Sequence, residues 1–101
     1  MMTFFHISII WIGPEKSVET LRPIFNLAED WQSLGTSNYI IYTNENAYIW
    51  QGRIMAIISA EDYFFLFEIS NIKTSGGFLP KALWDWIKKD RKSPVLLPPV
   101  R

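Results

Sequence analysis

The nine residues "DYFFLFEIS", Asp62 to Ser70, constrain this fold more than any other stretch of the chain. In an extended strand, successive side chains point to opposite faces. Tyr63, Phe65, Phe67 and Ile69 therefore point one way, and Phe64 and Leu66 point the other. A strand in an open two-layer sheet has one apolar and one polar face. This one is apolar on both, so one face lies on a core and the other needs a cover. Three covers are available within the sequence: a tryptophan-bearing third helix, a Pro-rich tail, or a second copy of the chain. A second copy is favoured, because monomers rarely leave a large contiguous apolar patch bare.

The remaining segments supply the partners of this strand. Thr3 to Ile12 is rich in β-branched and aromatic residues and reads as a buried strand that ends at Gly13-Pro14. Phe5, Ile7, Ile9 and Trp11 share one of its faces; Phe4, His6, Ser8, Ile10 and Ile12 share the other. A helix follows, with Ser17 or Thr20 as N-cap. Thr20 is attractive because it leaves Pro23 in the first turn, where its missing N–H costs nothing. Leu21, Ile24, Phe25, Ala28 and Trp31 form the apolar stripe of that helix. Gln32 to Thr43 reads as extended with a kink near Gly35, either one bent strand or a hairpin of "WQSLGTS" with "NYIIYT". Asn44-Glu45-Asn46 is a cap cluster before a second helix from about Ala47 to Ser59, lined by Ala47, Trp50, Ile54, Ile57 and Ile58. After the greasy strand, Pro80 opens a third helix, "PKALWDWIKK", with Leu79, Leu83, Trp86 and Ile87 as its stripe.

Right-handed crossovers place both main helices on one face of the sheet. The expected fold is an α+β, ferredoxin-like two-layer sandwich of the βαββαβ type with an extra C-terminal helix. Residues 1–92 form a single domain, and 93–101, "SPVLLPPVR", form an extended Pro-rich tail. The first strand and residues 63–70 are expected side by side in the middle of the sheet. The candidate dimer face is then Phe4, His6, Ile10, Phe64 and Leu66.

Composition narrows the function classes. The 101 residues carry ten cations and ten carboxylates, so there is no basic excess of the kind that obligate nucleic-acid binders show. There is no cysteine, hence no disulfide framework and no thiolate metal site, which fits a reducing, cytoplasmic setting. The N-terminal apolar run lacks a basic n-region, carries His6 and Ser8, and is too short to span a bilayer, so it reads as strand rather than signal peptide or membrane anchor.

The order of these segments, with "WQSLGTSNYIIYT", "IISAEDYFFLFEIS" and "GGFLPKALWDWIKK", resembles the small Cas2-like proteins over roughly residues 3 to 90. That group includes CRISPR-associated Cas2, the VapD-type ribonucleases and the SinR family, and the likeness is closest to the last. Its most specific parts are the aspartate–apolar run–Glu-Ile pattern starting at Asp62 and the "LPKALWDWIKK" ending. The resemblance implies a ferredoxin-like fold and a homodimer whose open sheet faces pack together. Nuclease members carry an aspartate at the end of the first strand, where paired carboxylates hold a divalent cation. The matching stretch here is "ISIIWIGPEK", which offers Ile10, Trp11 or Ile12, with Glu15 displaced into a loop. The resemblance therefore points to a catalytically silent, homodimeric binding or regulatory protein acting on a protein or nucleic acid. Its alternatives are a VapD-type endoribonuclease with relocated catalytic groups, or a mobile-element protein that binds a host or phage protein.

No other stretch supplies a self-sufficient catalytic motif, a metal site or a cofactor site. His6, Ser8 and Glu68 form a conceivable Ser–His–Glu set, with a polar strip at an interface as the plainer reading. Asp62 and Glu61 read as the turn before a strand. "SGG" at 75–77 lacks the lysine of a phosphate-binding loop. Lys81, Lys88, Lys89, Arg91 and Lys92, interleaved with Trp84, form a candidate nucleic-acid or partner surface; the plainer reading is a solvated helix end.

Overall fold

Two antiparallel pairings of one central strand organise the protein. The computed structural model describes residues 1–72, 76–77 and 79–91. Those residues divide into one unit, Met1–Asn71, and a second that begins at Ile72. The first unit contains β1 (Thr3–Ile10), α1 (Val18–Phe25), β2 (Asp30–Ser33), β3 (Asn38–Thr43), α2 (Ala47–Ile57) and β4 (Tyr63–Ile69). The second contains α3 (Lys81–Lys88). The result is an α+β fold with a four-stranded sheet in the order β2-β3-β1-β4, antiparallel throughout. None of the described helices is long and apolar enough to cross a membrane.

The segment "WQSLGTSNYIIYT" is a hairpin, β2 with β3, not a bent strand. Gly35 sits at its turn with φ +89, a left-handed conformation that glycine adopts without steric cost. Ser17, not Thr20, caps α1. Its side chain accepts from the Thr20 amide at 3.2 Å, and Pro23 falls in the last turn. A proline there removes only one intrahelical bond, and the helix stops two residues later. Trp31 therefore belongs to β2 rather than to the helical stripe. Asn46 caps α2 through a 3.1 Å bond from the Ile49 amide.

Both helices of the first unit lie on the face that carries Phe5, Ile7 and Ile9. The core joins these to Leu21 and Phe25 of α1, Tyr39 and Ile41 of β3, and Trp50 and Ile54 of α2. Phe25 is its hub, stacked on Tyr39 at 4.1 Å, Trp31 at 5.4 Å and Trp50 at 6.3 Å between ring centroids. Such offset aromatic pairs add to plain area burial.

β4 departs from expectation in two ways. It is adjacent to β1 but lies at the sheet edge, not in the middle. Its faces are also reversed relative to the sequence reading. Ile7 pairs with Leu66 and Ile9 with Phe64, so Phe64 and Leu66 pack against the core beneath the helices. Phe4, His6, Ser8 and Ile10 instead pair with Ile69, Phe67, Phe65 and Tyr63. The candidate dimer face thus keeps Phe4, His6 and Ile10 but loses Phe64 and Leu66. A slip of one residue exchanges the faces of a strand. β4 is apolar on both faces, and its one charge, Glu68, lies on the face that meets the core, so its hydrophobic pattern does not choose the observed register.

Candidate functional site

The face of the sheet away from α1 and α2 reads across the strands as rows. Asp30, Tyr42, Phe4 and Ile69 form one row; Gln32, Ile40, His6 and Phe67 the next; then Asn38, Ser8 and Phe65; then Ile10 and Tyr63. None of these is a lysine or arginine. Towards β2 and β3 the residues are half-buried or buried. Towards β4 they are bare: Tyr63 is 65% exposed, Phe67 60%, Ile10 46% and Phe65 41%. Phe65 and Phe67 touch at 5.0 Å between ring centroids, tilted by 58°. Tyr63 and Phe67 thus show more than half their surface at the outer margin of the sheet, in a contiguous aromatic strip. Large exposed apolar patches of this kind mark interaction surfaces. The chemistry available is apolar and aromatic contact, with no cation among these strand residues to hold a phosphate.

The polar residues of this face do not assemble a catalytic set. His6 Nε2 lies 3.1 Å from Asn38 Oδ1. Glu68 pairs with Phe5 and so points to the helix side of the sheet, while His6 and Ser8 point to the other. A Ser–His–Glu arrangement is therefore excluded by strand parity.

Beyond β1, where the resemblance would require a metal-binding carboxylate, the chain presents Trp11, Ile12 and Gly13. Three carboxylates lie near: Glu61 sits beside Gly13, and Asp62 and Glu15 are engaged elsewhere. Asp62, a buried residue, accepts from the Ile12 amide at 2.8 Å and the Gly13 amide at 2.9 Å through Oδ1, and from the Ser59 amide at 2.9 Å through Oδ2. The Gly13 N–H, followed by those of Ser59 and Ile12 and the nearby Lys16 charge, holds this carboxyl below the usual range against the opposing effect of desolvation. Glu15 accepts from the Thr36 hydroxyl. Asp62 is a residue that sequence reasoning undervalued. It is more than a turn residue, since it ties the end of β1 to the turn between α2 and β4. Its Ile12 and Gly13 partner amides lie 50 and 49 residues away in sequence, so no local signal announces them; only Ser59 is a neighbour.

A third polar cluster sits at the start of α2. Arg53 holds Glu45 in a bidentate pair at 2.6 and 2.9 Å and stacks over Trp50 at 4.8 Å. The Arg53 hydrogen bonds lower the Glu45 pKa. A depression of about 230 Å³ lies beside it, between Met1, Thr3, Phe5, Glu45 and Glu68. That is smaller than the roughly 300–1,000 Å³ of ordinary small-molecule sites.

In the second unit, Lys81, Trp84 and Lys88 share one side of α3, and Lys88 Nζ lies 5.5 Å from the Trp84 ring centre. Lys81 pairs with Asp85 at 2.7 Å. Arg91 is placed differently: its guanidinium sits 4.4 Å from the Trp86 ring centre and donates to the Trp86 carbonyl at 2.8 Å. Lys89 is the C-cap. The expected cationic surface is thus split between two sides of the helix end, and Lys92 and the tail 93–101 lie outside the described residues. No family model matches this chain, and neither a curated protein nor a solved structure is found similar to it.

Proposed function

We propose that this chain is a catalytically silent, homodimeric binding or regulatory protein of the Cas2-like type, with a ferredoxin-like fold. The βαββαβ order and the antiparallel β2-β3-β1-β4 sheet with both helices on one face support that fold reading. The observation that carries the function is the bare aromatic strip of Tyr63, Phe65 and Phe67 on a sheet face without lysine or arginine. It suits an apolar protein surface better than a phosphate backbone, which would demand cations. Two of the carboxylates near the end of β1 support the absence of catalysis, because Asp62 spends its oxygens on backbone amides and Glu15 accepts from Thr36.

Two measurements test this together. Light scattering at micromolar concentration is expected to give twice the 11.8 kDa chain mass. RNA and DNA cleavage with Mg²⁺ or Mn²⁺ is expected at the level of an EDTA control. A monomer refutes the homodimer. Metal-dependent cleavage that disappears in Glu15→Gln or Asp62→Asn refutes catalytic silence and returns the chain to the nuclease class.

A further inference from the structure

We propose that His6 makes pairing through the open sheet face pH-dependent: two copies join while its imidazole is neutral and separate when it is protonated. This rests on the homodimer reading above and adds the regulation of the same face.

β1 is an inner strand of the sheet, and His6 lies well inside the open face. In its own row it sits between Ile40 of β3 and Phe67 of β4. Phe4 and Ser8 are its neighbours on that face along β1, since alternate residues of a strand point the same way. His6 is already half-buried in the single chain. A copy packed on the aromatic strip and the rows beside it therefore takes the imidazole out of water.

His6 is the chain's only histidine, and there is no cysteine. Histidine ordinarily titrates near pH 6.5, and no other side chain present ordinarily changes charge between about pH 5 and 7.5. His6 Nε2 lies 3.1 Å from Asn38 Oδ1. An Nε2–H donating to that oxygen serves the neutral and the charged ring alike. The proton that comes and goes then sits on Nδ1, for which the described residues supply no acceptor.

The groups around the ring set the sign of the effect. Burial disfavours the charged form of a histidine, whereas a carboxylate beside it favours that form. The titratable groups that β3 and β4 turn to this face are Tyr42 and Tyr63, both phenols that stay neutral in this range. Glu68, adjacent to Phe67 in sequence, points to the helix side. Asp30 is two strands away on β2, in the neighbouring row, and its Oδ1 accepts from the Trp31 amide at 2.9 Å. The strand residues around His6 thus place no carboxylate beside the ring. A protonated ring loses its water when a copy covers the face and gains no counter-ion from its own sheet.

Each copy brings one such ring, so a dimer buries two. Between pH 7.5 and 5.5 each weakens association by up to about tenfold. Asp62 and Glu45, whose carboxyls are held below the usual range, stay ionised throughout, so the fold is not what changes.

A dilution series followed by light scattering at pH 7.5 and 5.5 reads the effect on wild type and His6→Gln. The wild-type dimer Kd is expected to rise at least tenfold at pH 5.5, and that of His6→Gln to stay constant. The wild type also carries a readout that needs no variant: the His6 ring, a single NMR signal, is expected to titrate at lower pH in concentrated, dimeric protein than in dilute monomer, because linkage is reciprocal. A dimer equally tight or tighter at pH 5.5, a pH dependence that survives in His6→Gln, or a ring titration independent of concentration overturns the gate and leaves the homodimer standing. A wild type that is monomeric at pH 7.5 overturns both.

Discussion

Thr43 offers the sharpest test of how the core is held. Its side chain is 1% exposed, yet it is polar, and three groups depend on it. The hydroxyl oxygen accepts from the Trp50 indole N–H at 3.3 Å and from the Glu45 amide at 3.1 Å, and the hydroxyl donates to Glu45 Oε1 at 3.4 Å. Thr43→Val keeps the shape and the β-branching but removes the hydroxyl. The indole N–H of Trp50, whose side chain is fully buried, then loses its Thr43 acceptor and keeps only the nearby Glu45 carboxylate. Leaving a buried donor unsatisfied costs about 1–3 kcal/mol. The 3.3 Å length marks a weak bond, the Glu45 carboxylate remains in reach and the half-buried Glu45 amide can turn to water, so the low end, about 1 kcal/mol, is expected. For a chain of this size that lowers Tm by roughly 4–8 °C. Urea unfolding followed by far-UV circular dichroism at fixed protein concentration measures it. Trp50→Phe removes the donor itself, so in that background Thr43→Val is expected to cost less than about 0.5 kcal/mol, a coupling that a double-mutant cycle isolates. An equal cost in both backgrounds, or a cost near zero in the wild type, refutes the reasoning.

Acid should unfold the protein through Asp62 and Glu45. Both folded pKa values are depressed, so the stability they contribute is complete above their unfolded values of about 4 and is lost as pH falls through the folded ones. Melting temperature is therefore expected to be flat from about pH 7 to 5 and to fall below about pH 4, with a shallower acid limb in Asp62→Asn; an unchanged limb in that variant removes Asp62 from the account. Gly35→Ala is expected to cost about 1 kcal/mol, because φ +89 is strained for any side chain although the space there is open. Gly13→Ala should be milder by thermal melting, since its new methyl meets chiefly the movable end of Glu61 at 2.9 Å; a larger loss than Gly35→Ala reverses that ranking. Ser17→Ala removes the α1 cap and is expected to cost about 1 kcal/mol, with Ser17→Asp restoring it, as read by the same melts.

Local chemistry in the sequence determined most of the elements. Period-two runs marked β1 and β4, the Asn44-Glu45-Asn46 cluster marked the start of α2, and Pro80 marked the start of α3, because alternation, caps and proline act within a few residues. The apolar inner line of α2 was legible for the same reason, and Trp50 and Ile54 are indeed buried. Tertiary structure decided what a short window cannot contain. Whether Ser17 or Thr20 caps α1 depends on where the chain must turn to form β2. Which face of β4 meets the core depends on register, and both faces are apolar enough to serve. Asp62 grips Ile12 and Gly13 across the fold, consistent with the register that pairs Ile10 with Tyr63. That register buries Phe64 and Leu66 and leaves Tyr63, Phe65 and Phe67 on the open face. The sequence announced a strand too greasy for one core; only long-range pairing could assign its faces, because a slip of one residue exchanges every side chain between them.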